Sequence, residues 1–130
     1  MTLSPRLQTA VDALPLRPGM RVIEVGGAPG AAAREVARRV APGHVLVIDR
    51  SAKGIELIRR AAAAEIAAGL LSVRHVAVED ACLDPGEAPY DLAFACRVGV
   101  LDGRHPQRER QALSSLRAML VPNAPILIDP

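Results

Sequence analysis

Aromatic residues are nearly absent from this sequence, which has one tyrosine, one phenylalanine and no tryptophan. Two rings cannot supply the stacking platform on which proteins hold unpaired nucleic-acid bases. Long apolar runs are missing too, since every uncharged stretch falls far short of the ~20 residues that a membrane-spanning helix needs. These absences argue against nucleic acid and against a membrane as partners of the chain.

Cysteine is also scarce. Cys82 and Cys96 are too few for a disulfide framework, and such low usage is typical of a reducing compartment. The start of the chain does not combine a basic segment with an apolar run, so it does not resemble a secretory signal peptide. We therefore expect a cytoplasmic protein.

The residues that are present have the composition of a soluble globular domain, with 50% apolar and 23% charged among 130 residues. We expect a single domain over 1–130, large enough to bury a core without disulfides or metals. Fifteen of the sixteen basic residues are arginines, spread along the chain with a net charge of only +2. Scattered arginines indicate a solvated surface rather than a nucleic-acid footprint.

Short apolar runs, rich in β-branched residues, recur along the chain. Runs of this kind are typical of strands that are buried on both faces of a parallel sheet. The predicted strands are Arg21–Val25, His44–Asp49, Leu71–Val78, Tyr90–Ala95 and Ala124–Asp129.

Helical patterns lie between these runs. Ala32, Val36 and Val40 share one face of the pattern that follows the first strand, which predicts an amphipathic helix. Ser4 and Pro5 supply a cap and a first-turn proline for an N-terminal helix within 1–15. The alternation of strands and helices predicts an α/β fold with one parallel sheet. The predicted helices are Pro5–Leu14, Ala31–Val40, Gly54–Leu70 and Arg108–Leu120, with a loop over Glu79–Pro89.

A glycine-rich turn directly follows the first predicted strand. Residues 22–30 read VIEVGGAPG, a strand that runs into a turn and then into a helix. Glycine lets the backbone approach a ligand closely, and the start of the helix offers free N–H groups. Asp49 ends the second strand, where a carboxylate can accept hydrogen bonds from both hydroxyls of a ribose. We therefore expect segment 20–49 to form the nucleoside-binding βαβ half of the domain.

Common phosphate-binding patterns do not fit this turn. The dinucleotide pattern G-x-G-x-x-G, started at Gly26, would need glycine where Ala28 and Ala31 stand. A G-x-x-x-x-G-K-[ST] loop is absent as well. The turn does fit the pattern acid-x-Gly-x-x-x-Gly, with Glu24, Gly26 and Gly30 in place.

This pattern resembles motif I of the class I S-adenosylmethionine-dependent methyltransferases, written E/D-x-G-x-G-x-G, with Ala28 in the place of the middle glycine. The resemblance implies a Rossmann-like, doubly wound sheet of about five parallel strands with flanking helices. It also implies S-adenosylmethionine as the cofactor and S-adenosylhomocysteine as the product.

The likeness to this family extends along nearly the whole chain in the right order. Residues 16–26 are similar to the lead-in to the family's first strand, 47–51 to its second-strand acid and 78–81 to its adenine-contacting loop. Residues 90–95 are similar to its fourth strand, and 116–128 to the helix, turn and fifth strand.

The resemblance implies a role for each motif residue. Glu24 would help to hold the methionine amino end of the cofactor, and Asp49 would bind the ribose. Asp80 would hydrogen-bond the adenine amino group, and Ala81 would offer its N–H to a ring nitrogen. Cys96 would line the methyl-donor end. The other implied cofactor contacts are Gly26, Gly27, Ala28 and Gly30 through the backbone, with Arg50 or Ser51 beside the adenine.

No residue stands out as a firm catalytic group, because methyl transfer to a good nucleophile can rely on positioning. His105 and Asp102, past the fourth strand, are weak candidates for a general base. His44, His75 and His105 lie far apart on different elements, so no metal site is expected.

The resemblance also bears on assembly, because the family continues beyond its fifth strand with a helix and an antiparallel strand pair that this sequence lacks. A fifth strand left uncovered is an apolar sheet edge, which a soluble protein must cover. We expect a homodimer or a partner chain at this edge.

The expected function is that of an S-adenosylmethionine-dependent methyltransferase with a small acidic or neutral acceptor. One alternative is a non-catalytic module or partner subunit that binds S-adenosylmethionine or its demethylated product. Another is an RNA methyltransferase, since residues 27–30 (GAPG) resemble the turn of the ribosomal-RNA 2′-O-methyltransferases, although a single lysine, Lys53, cannot supply that family's catalytic set. An NAD-dependent dehydrogenase is disfavoured by the broken glycine pattern.

Overall fold

The computed structural model describes residues 3–101 and 103–130. The strands are Arg21–Val25 (β1), His44–Asp49 (β2), Leu71–His75 (β3), Leu92–Ala95 (β4) and Ile126–Ile128 (β5). The α-helices are Pro5–Asp12 (α1), Ala31–Val40 (α2), Ala52–Ala61 (α3), Ala63–Ala67 (α4) and Pro106–Met119 (α5). Two 3-10 helices, Val78–Asp80 and Gly99–Leu101, follow β3 and β4.

The described strands run parallel in one sheet with the order β3-β2-β1-β4-β5. β1 is central, because Val22 pairs with Val45 of β2 on one side and with Leu92 of β4 on the other. The chain changes sides between β3 and β4, so the connections that leave β1 and β4 diverge. In sheets of this kind, ligands bind in the crevice beyond the carboxyl ends of the two diverging strands.

Apolar side chains pack on both faces of the sheet, as a parallel sheet between helices requires. On one face, Val22, Val45 and Val47 belong to a cluster with residues of α1, α2 and α3. On the other face, Ile23 and Leu46 belong to a cluster with residues of α5. Helices therefore cover both faces, and the predicted α/β fold class is confirmed.

The predicted end of the third strand is wrong, because β3 stops at His75 rather than at Val78. The Val76 N–H still donates to the Asp49 carbonyl at 3.0 Å, but the chain then leaves the ladder. Val78 enters the core and begins a 3-10 helix, in which the Ala81 N–H donates to its carbonyl at 3.2 Å. The strand therefore ends before the point where Val78 packs into the core.

The helix predicted over Gly54–Leu70 is also different in the structure. It begins at Ala52, because the Ser51 hydroxyl accepts the Gly54 N–H and caps the first turn. It breaks at Ala62, a fully buried residue with φ of −104° that separates α3 from α4. The other predicted boundaries agree within two residues.

Helix α5, with 14 residues, contributes Ala112, Leu116 and Met119 to the core on its sheet-facing side. Its first turn lies at the carboxyl ends of the strands, where Arg108 lines a cavity, and its last turn leads back toward the start of β5. Within residues 3–101 and 103–130, no helix is long and apolar enough to cross a membrane.

Candidate functional site

A tight turn joins the end of β1 to the start of α2. Gly26 has a φ of +71°, and a Cβ there would lie 3.0 Å from Cγ2 of Val98. A Cβ on Gly27 would lie 2.8 Å from the carboxyl carbon of Glu24. Gly30, at a φ of +104°, closes the turn by donating its N–H to the Gly27 carbonyl at 2.7 Å. The turn therefore brings bare backbone to the carboxyl end of β1.

The side chain of Glu24 is buried beneath this turn, and only 3% of the residue is exposed. Its Oε1 atom has no hydrogen-bond partner among the residues that the structure describes. Burial, and secondarily the negative charge of Asp49, raise the pKa of Glu24 to about 8. A buried carboxyl without a partner is costly, so this position suits a ligand that brings a donor or a positive charge.

A small cavity of about 70 Å³ separates Glu24 from the N-terminal helix. Arg6 of α1 stands at its rim, exposed and without a hydrogen bond or ion pair to any described residue. Cys96 lies on the opposite wall, where burial and secondarily the charge of Glu24 raise the pKa of its thiol. The cavity is therefore lined by a carboxyl group at its buried end and by a guanidinium group at its exposed end. The complete lining is Arg6, Leu7, Glu24, Gly26, Gly27, Ala28, Pro29, Ala31, Ala32 and Cys96.

Asp49 ends β2 beside the glycine turn and is buried, with 8% exposed. Its Oδ1 accepts the Ser51 N–H at 2.9 Å, and the Ser51 hydroxyl caps α3. Its Oδ2 accepts no hydrogen bond within the described residues and lies 3.0 Å from the position that a Cβ of Gly54 would take. One oxygen thus holds the carboxylate in place, and the other remains available to a ligand.

A larger cavity of about 310 Å³ lies beyond the carboxyl ends of β1, β2 and β4. This volume falls at the lower end of the ~300–1,000 Å³ that is typical of small-molecule sites. Its lining is Val25, Gly26, Ile48, Asp49, Arg50, Val76, Val78, Glu79, Arg97, Val98, Gly99, Val100, His105 and Arg108.

Glu79 ties the start of α5 to the edge of this larger cavity. The Arg108 guanidinium donates to Oε2 of Glu79 through Nε and Nη2, each at 3.3 Å. The Glu79 carbonyl accepts the Ser115 hydroxyl at 2.8 Å and the Gln111 side-chain amide at 3.2 Å. These contacts join the segment after β3 to the segment after β4.

Most of the predicted cofactor residues meet around the two cavities. Asp80 does not, because it is exposed and outside both linings, whereas its neighbour Glu79 faces the larger cavity. The N–H of Ala81 already donates to Val78 and is not free for an adenine nitrogen. The predicted residues that line a cavity are Glu24, Gly26, Gly27, Ala28, Asp49, Arg50 and Cys96.

The remaining predicted residues have other positions. Gly30 and Ser51 cap α2 and α3. Of the two candidate bases, His105 lines the larger cavity, while Asp102 lies outside the described residues. In the described part of the chain, no three His, Cys, Asp or Glu side chains are grouped so that they could hold a metal ion.

Several residues of the site carry no signal in the sequence. Arg6, Val98 and Arg108 reach the cavities only through tertiary packing, and no local pattern marks them. Gly54 lies close to Asp49 because Ser51, the N-cap of α3, hydrogen-bonds to both residues. Glu79 differs from these residues, because the sequence does carry a signal for it. It directly precedes Asp80 in segment 78–81, and this motif could have indicated either acid.

A family model described as a methyltransferase domain matches residues 22–123, from β1 to the turn before β5. The chain belongs to the class I S-adenosylmethionine-dependent methyltransferases. The cofactor of this family is S-adenosylmethionine. The residues present fit it, because the unpartnered Glu24 suits an amino group and the free oxygen of Asp49 suits a ribose hydroxyl.

Solved structures place the methyltransferase fold over nearly the whole chain. A methyltransferase from Thiobacillus denitrificans, solved with S-adenosylhomocysteine, is 25% identical with a TM-score of 0.73, and the match covers 97% of this chain and 48% of that one. The YcgJ protein of Bacillus subtilis is 15% identical with a TM-score of 0.75, over 95% and 49% of the two chains. Phosphoethanolamine N-methyltransferase 1 of Haemonchus contortus is 19% identical with a TM-score of 0.76, over 94% and 24%.

The chain spans about half the length of the first two of these proteins and about a quarter of the third. No curated protein sequence matches it significantly.

Proposed function

We propose that the chain is a methyltransferase that transfers the methyl group of S-adenosylmethionine to a small-molecule acceptor. The observation that carries the proposal is the buried Glu24 carboxyl, which lacks a partner beneath a glycine turn. Asp49, with one free carboxylate oxygen, stands at the end of the adjacent strand. A ligand with an amino group and a ribose would supply hydrogen-bond donors to both carboxylates, the amino group to Glu24 and a ribose hydroxyl to Asp49.

In this proposal, the smaller cavity binds the methionine end of the cofactor and the larger cavity binds its ribose and adenine. In the smaller one, Glu24 accepts a hydrogen bond from the amino group of the methionine end, and Arg6 faces its carboxylate. In the larger one, the free oxygen of Asp49 accepts from the ribose, and the apolar wall of Val76 and Val78 lies beside the adenine. When bound, the cofactor supplies a methyl group on a sulfonium, so holding the acceptor in line is the main task left to the protein.

Calorimetric titration of S-adenosylmethionine, S-adenosylhomocysteine and NAD into the purified chain tests the proposal. We expect micromolar binding of the first two and none of NAD. Asp49→Ala should weaken binding by about tenfold or more, because a charged hydrogen-bond acceptor is lost. The matched control is Asp84→Ala, which removes an exposed carboxylate outside both cavities. Failure of S-adenosylhomocysteine to bind, or equal binding by the Asp49 variant, would contradict the proposal.

The alternative is a module that binds the cofactor without catalysis, because the side chains assigned above contact the cofactor and none is assigned a catalytic step. Transfer of a labelled methyl group from S-adenosylmethionine into the small molecules of a cell extract distinguishes the two. Labelling that depends on Asp49 supports the enzyme. Tight cofactor binding with no labelled product in any extract supports the module.

We also propose that a second copy of the chain pairs along β5, which lies at an edge of the sheet. The Ala93 N–H donates to Pro125 and the Asp129 N–H to Ala95, so by alternation the backbone groups of Ile126 and Ile128 point toward the open edge. Light scattering at tens of micromolar should show a dimer, and Ile128→Pro should convert it to a monomer. A monomeric wild type would contradict this assembly.

A cytoplasmic location is proposed as well, and the free thiols of Cys82 and Cys96 support it. Fractionation of cells that express the tagged chain checks this location. Recovery in an oxidising compartment would contradict it.

A further inference from the structure

The wall of the larger cavity that follows β4 is basic. Arg97, His105 and Arg108 line it. Arg108 is paired with Glu79. The side chains of Arg97 and His105 make no hydrogen bond or ion pair within the described residues, so their polar groups remain available to a ligand.

Arg97 is held in a backbone conformation that arginine rarely adopts. Its φ is +56°, and its N–H donates to Oδ1 of Asp129 at 2.7 Å. Asp129, itself at a φ of +51°, donates its own N–H to the Ala95 carbonyl at 2.8 Å. Such residues persist only where the surroundings determine them, and they concentrate at functional sites. The ends of β4 and β5 together thus set the position of Arg97 at the cavity.

The segment that follows Arg97 is anchored at several points. Val98 packs against the glycine turn, with Cγ2 at 3.0 Å from the position of a Gly26 Cβ. Val100 and Leu101 are buried in the core, and the Leu101 N–H donates to the Val98 carbonyl at 3.0 Å. This anchoring gives the basic wall a defined shape, as a binding surface requires.

The free charges that line the larger cavity lie on two sides of it. Asp49 ends β2, on the side proposed for the cofactor, whose sulfonium group is cationic, and the other acid of the lining, Glu79, is paired with Arg108. The unpaired cation of Arg97, with His105 beside the same cavity, lies on the other side. Because clefts favour ligands of the opposite charge, the second side suits an anion.

We propose that the methyl acceptor carries a carboxylate or phosphate group and that Arg97 and His105 bind it. The inference rests on the methyltransferase function proposed above and names the chemical class of its acceptor. Arg97 can donate two parallel hydrogen bonds to an oxyanion, which would orient the acceptor toward the methyl group.

The test uses probes of matched shape and different charge. Benzoate, benzamide and inorganic phosphate are titrated into the chain saturated with S-adenosylhomocysteine, and NMR spectra of the amides and arginine side chains report binding. We expect an anion to bind at the Arg97 side chain and benzamide to bind about tenfold more weakly than benzoate. The stronger of benzoate and phosphate identifies the oxyanion.

Variants assign the site. Arg97→Gln should weaken anion binding by about tenfold, and His105→Gln should weaken it independently. Arg110→Gln is the matched control, because Arg110 is an exposed arginine on α5 outside the cavity lining. The spectrum of each variant shows whether it remains folded.

Three results would overturn the inference. These are equal binding of benzoate and benzamide, unchanged anion binding in both cavity variants, and displacement of S-adenosylhomocysteine by benzoate, which would assign Arg97 and His105 to the cofactor. If S-adenosylhomocysteine itself does not bind, the proposed function fails. The anion titration of the free chain would then still show separately whether the basic wall binds an oxyanion.

Discussion

Two regions of the molecule bury polar side chains: the cluster around Tyr90, and the carboxyl ends of β1 and β2. Only in the first region do all of the buried polar groups have hydrogen-bond partners within the described residues. The Tyr90 hydroxyl donates to Glu87 at 2.5 Å, and Arg74 donates to the same carboxylate oxygen at 3.0 Å. The Arg21 guanidinium lies 4.3 Å from the centroid of the Tyr90 ring. At the strand ends, in contrast, Oε1 of Glu24 has no partner within the described residues.

The pKa values of two glutamates summarise the difference. Burial alone would raise the pKa of Glu87, but hydrogen bonds from Arg74, Tyr90 and the Asp84 N–H outweigh it and lower this pKa to about 2. The pKa of Glu24 rises to about 8, because burial is not offset by any donor. Paired polar groups therefore support the fold, whereas the unpaired carboxyl lowers its stability, as is expected where a ligand supplies the missing partner.

The largest effect is expected from Glu24→Gln. Between the ordinary pKa of 4.5 and the folded value of about 8, the unfolded chain releases the Glu24 proton and the folded chain retains it. The wild type should therefore be most stable below the ordinary pKa and lose roughly 5 kcal/mol as the pH rises past the folded pKa. The variant cannot titrate and should lack this loss.

Urea unfolding of wild type and Glu24→Gln across this pH range measures the difference. Glu56→Gln, an exposed carboxylate on α3, is the control and should follow the wild type. Parallel pH profiles for the wild type and Glu24→Gln would show that the carboxyl is not held protonated by burial.

In the complete cluster, Glu87→Ala should lower the free energy of unfolding by about 2–3 kcal/mol, because the buried Tyr90 hydroxyl and Arg74 lose their shared acceptor. The contribution of Glu87 is present above its ordinary pKa and disappears as the pH falls toward the folded value of about 2. Asp84→Ala removes only an exposed partner of Arg74 and should cost less than about 1 kcal/mol. A change in S-adenosylhomocysteine affinity in Glu87→Ala would contradict the separation of the two regions.

Gly54→Ala tests the site without removing any polar group. The added Cβ would lie 3.0 Å from Oδ2 of Asp49 and 3.3 Å from the Cβ of Ala28, so the carboxylate must shift. Affinity for S-adenosylhomocysteine should fall about tenfold, while stability changes little because alanine favours the helix. Calorimetry of this variant beside Lys53→Ala, its neighbour on α3, measures the effect. Unchanged affinity would mean that the free oxygen of Asp49 does not contact the cofactor.

The smallest effect is expected from Glu79→Gln. Its partner Arg108 has a side chain that is 46% exposed, so the ion pair should contribute less than about 1 kcal/mol to the free energy of unfolding. The backbone carbonyl of Glu79 keeps its bond to Ser115 in the variant. Chemical unfolding checks this value, and a loss above about 2 kcal/mol would show that the pair is part of the folded core.

The strands, and the positions of Glu24 and Asp49 near their carboxyl ends, could be predicted from the sequence because local patterns encode them. Buried parallel strands need apolar runs, and Glu24 and Asp49 stand at positions that such runs locate. The break at Ala62 and the turn of Val78 into the core could not be predicted, since both depend on packing between distant segments. The same holds for the left-handed conformation of Arg97, whose N–H donates to Asp129 directly after β5.

In the proposed complex, the amino group at the methionine end of the cofactor donates the hydrogen bond that Glu24 lacks. Calorimetry of S-adenosylhomocysteine in buffers of different ionisation enthalpy, below the raised pKa of Glu24, counts the protons released on binding. We expect about one proton for S-adenosylhomocysteine, because Glu24 must ionise to accept the amino group, and none for methylthioadenosine, which lacks that end. Equal proton release for the two ligands, or undiminished release in Glu24→Gln, would contradict the claim.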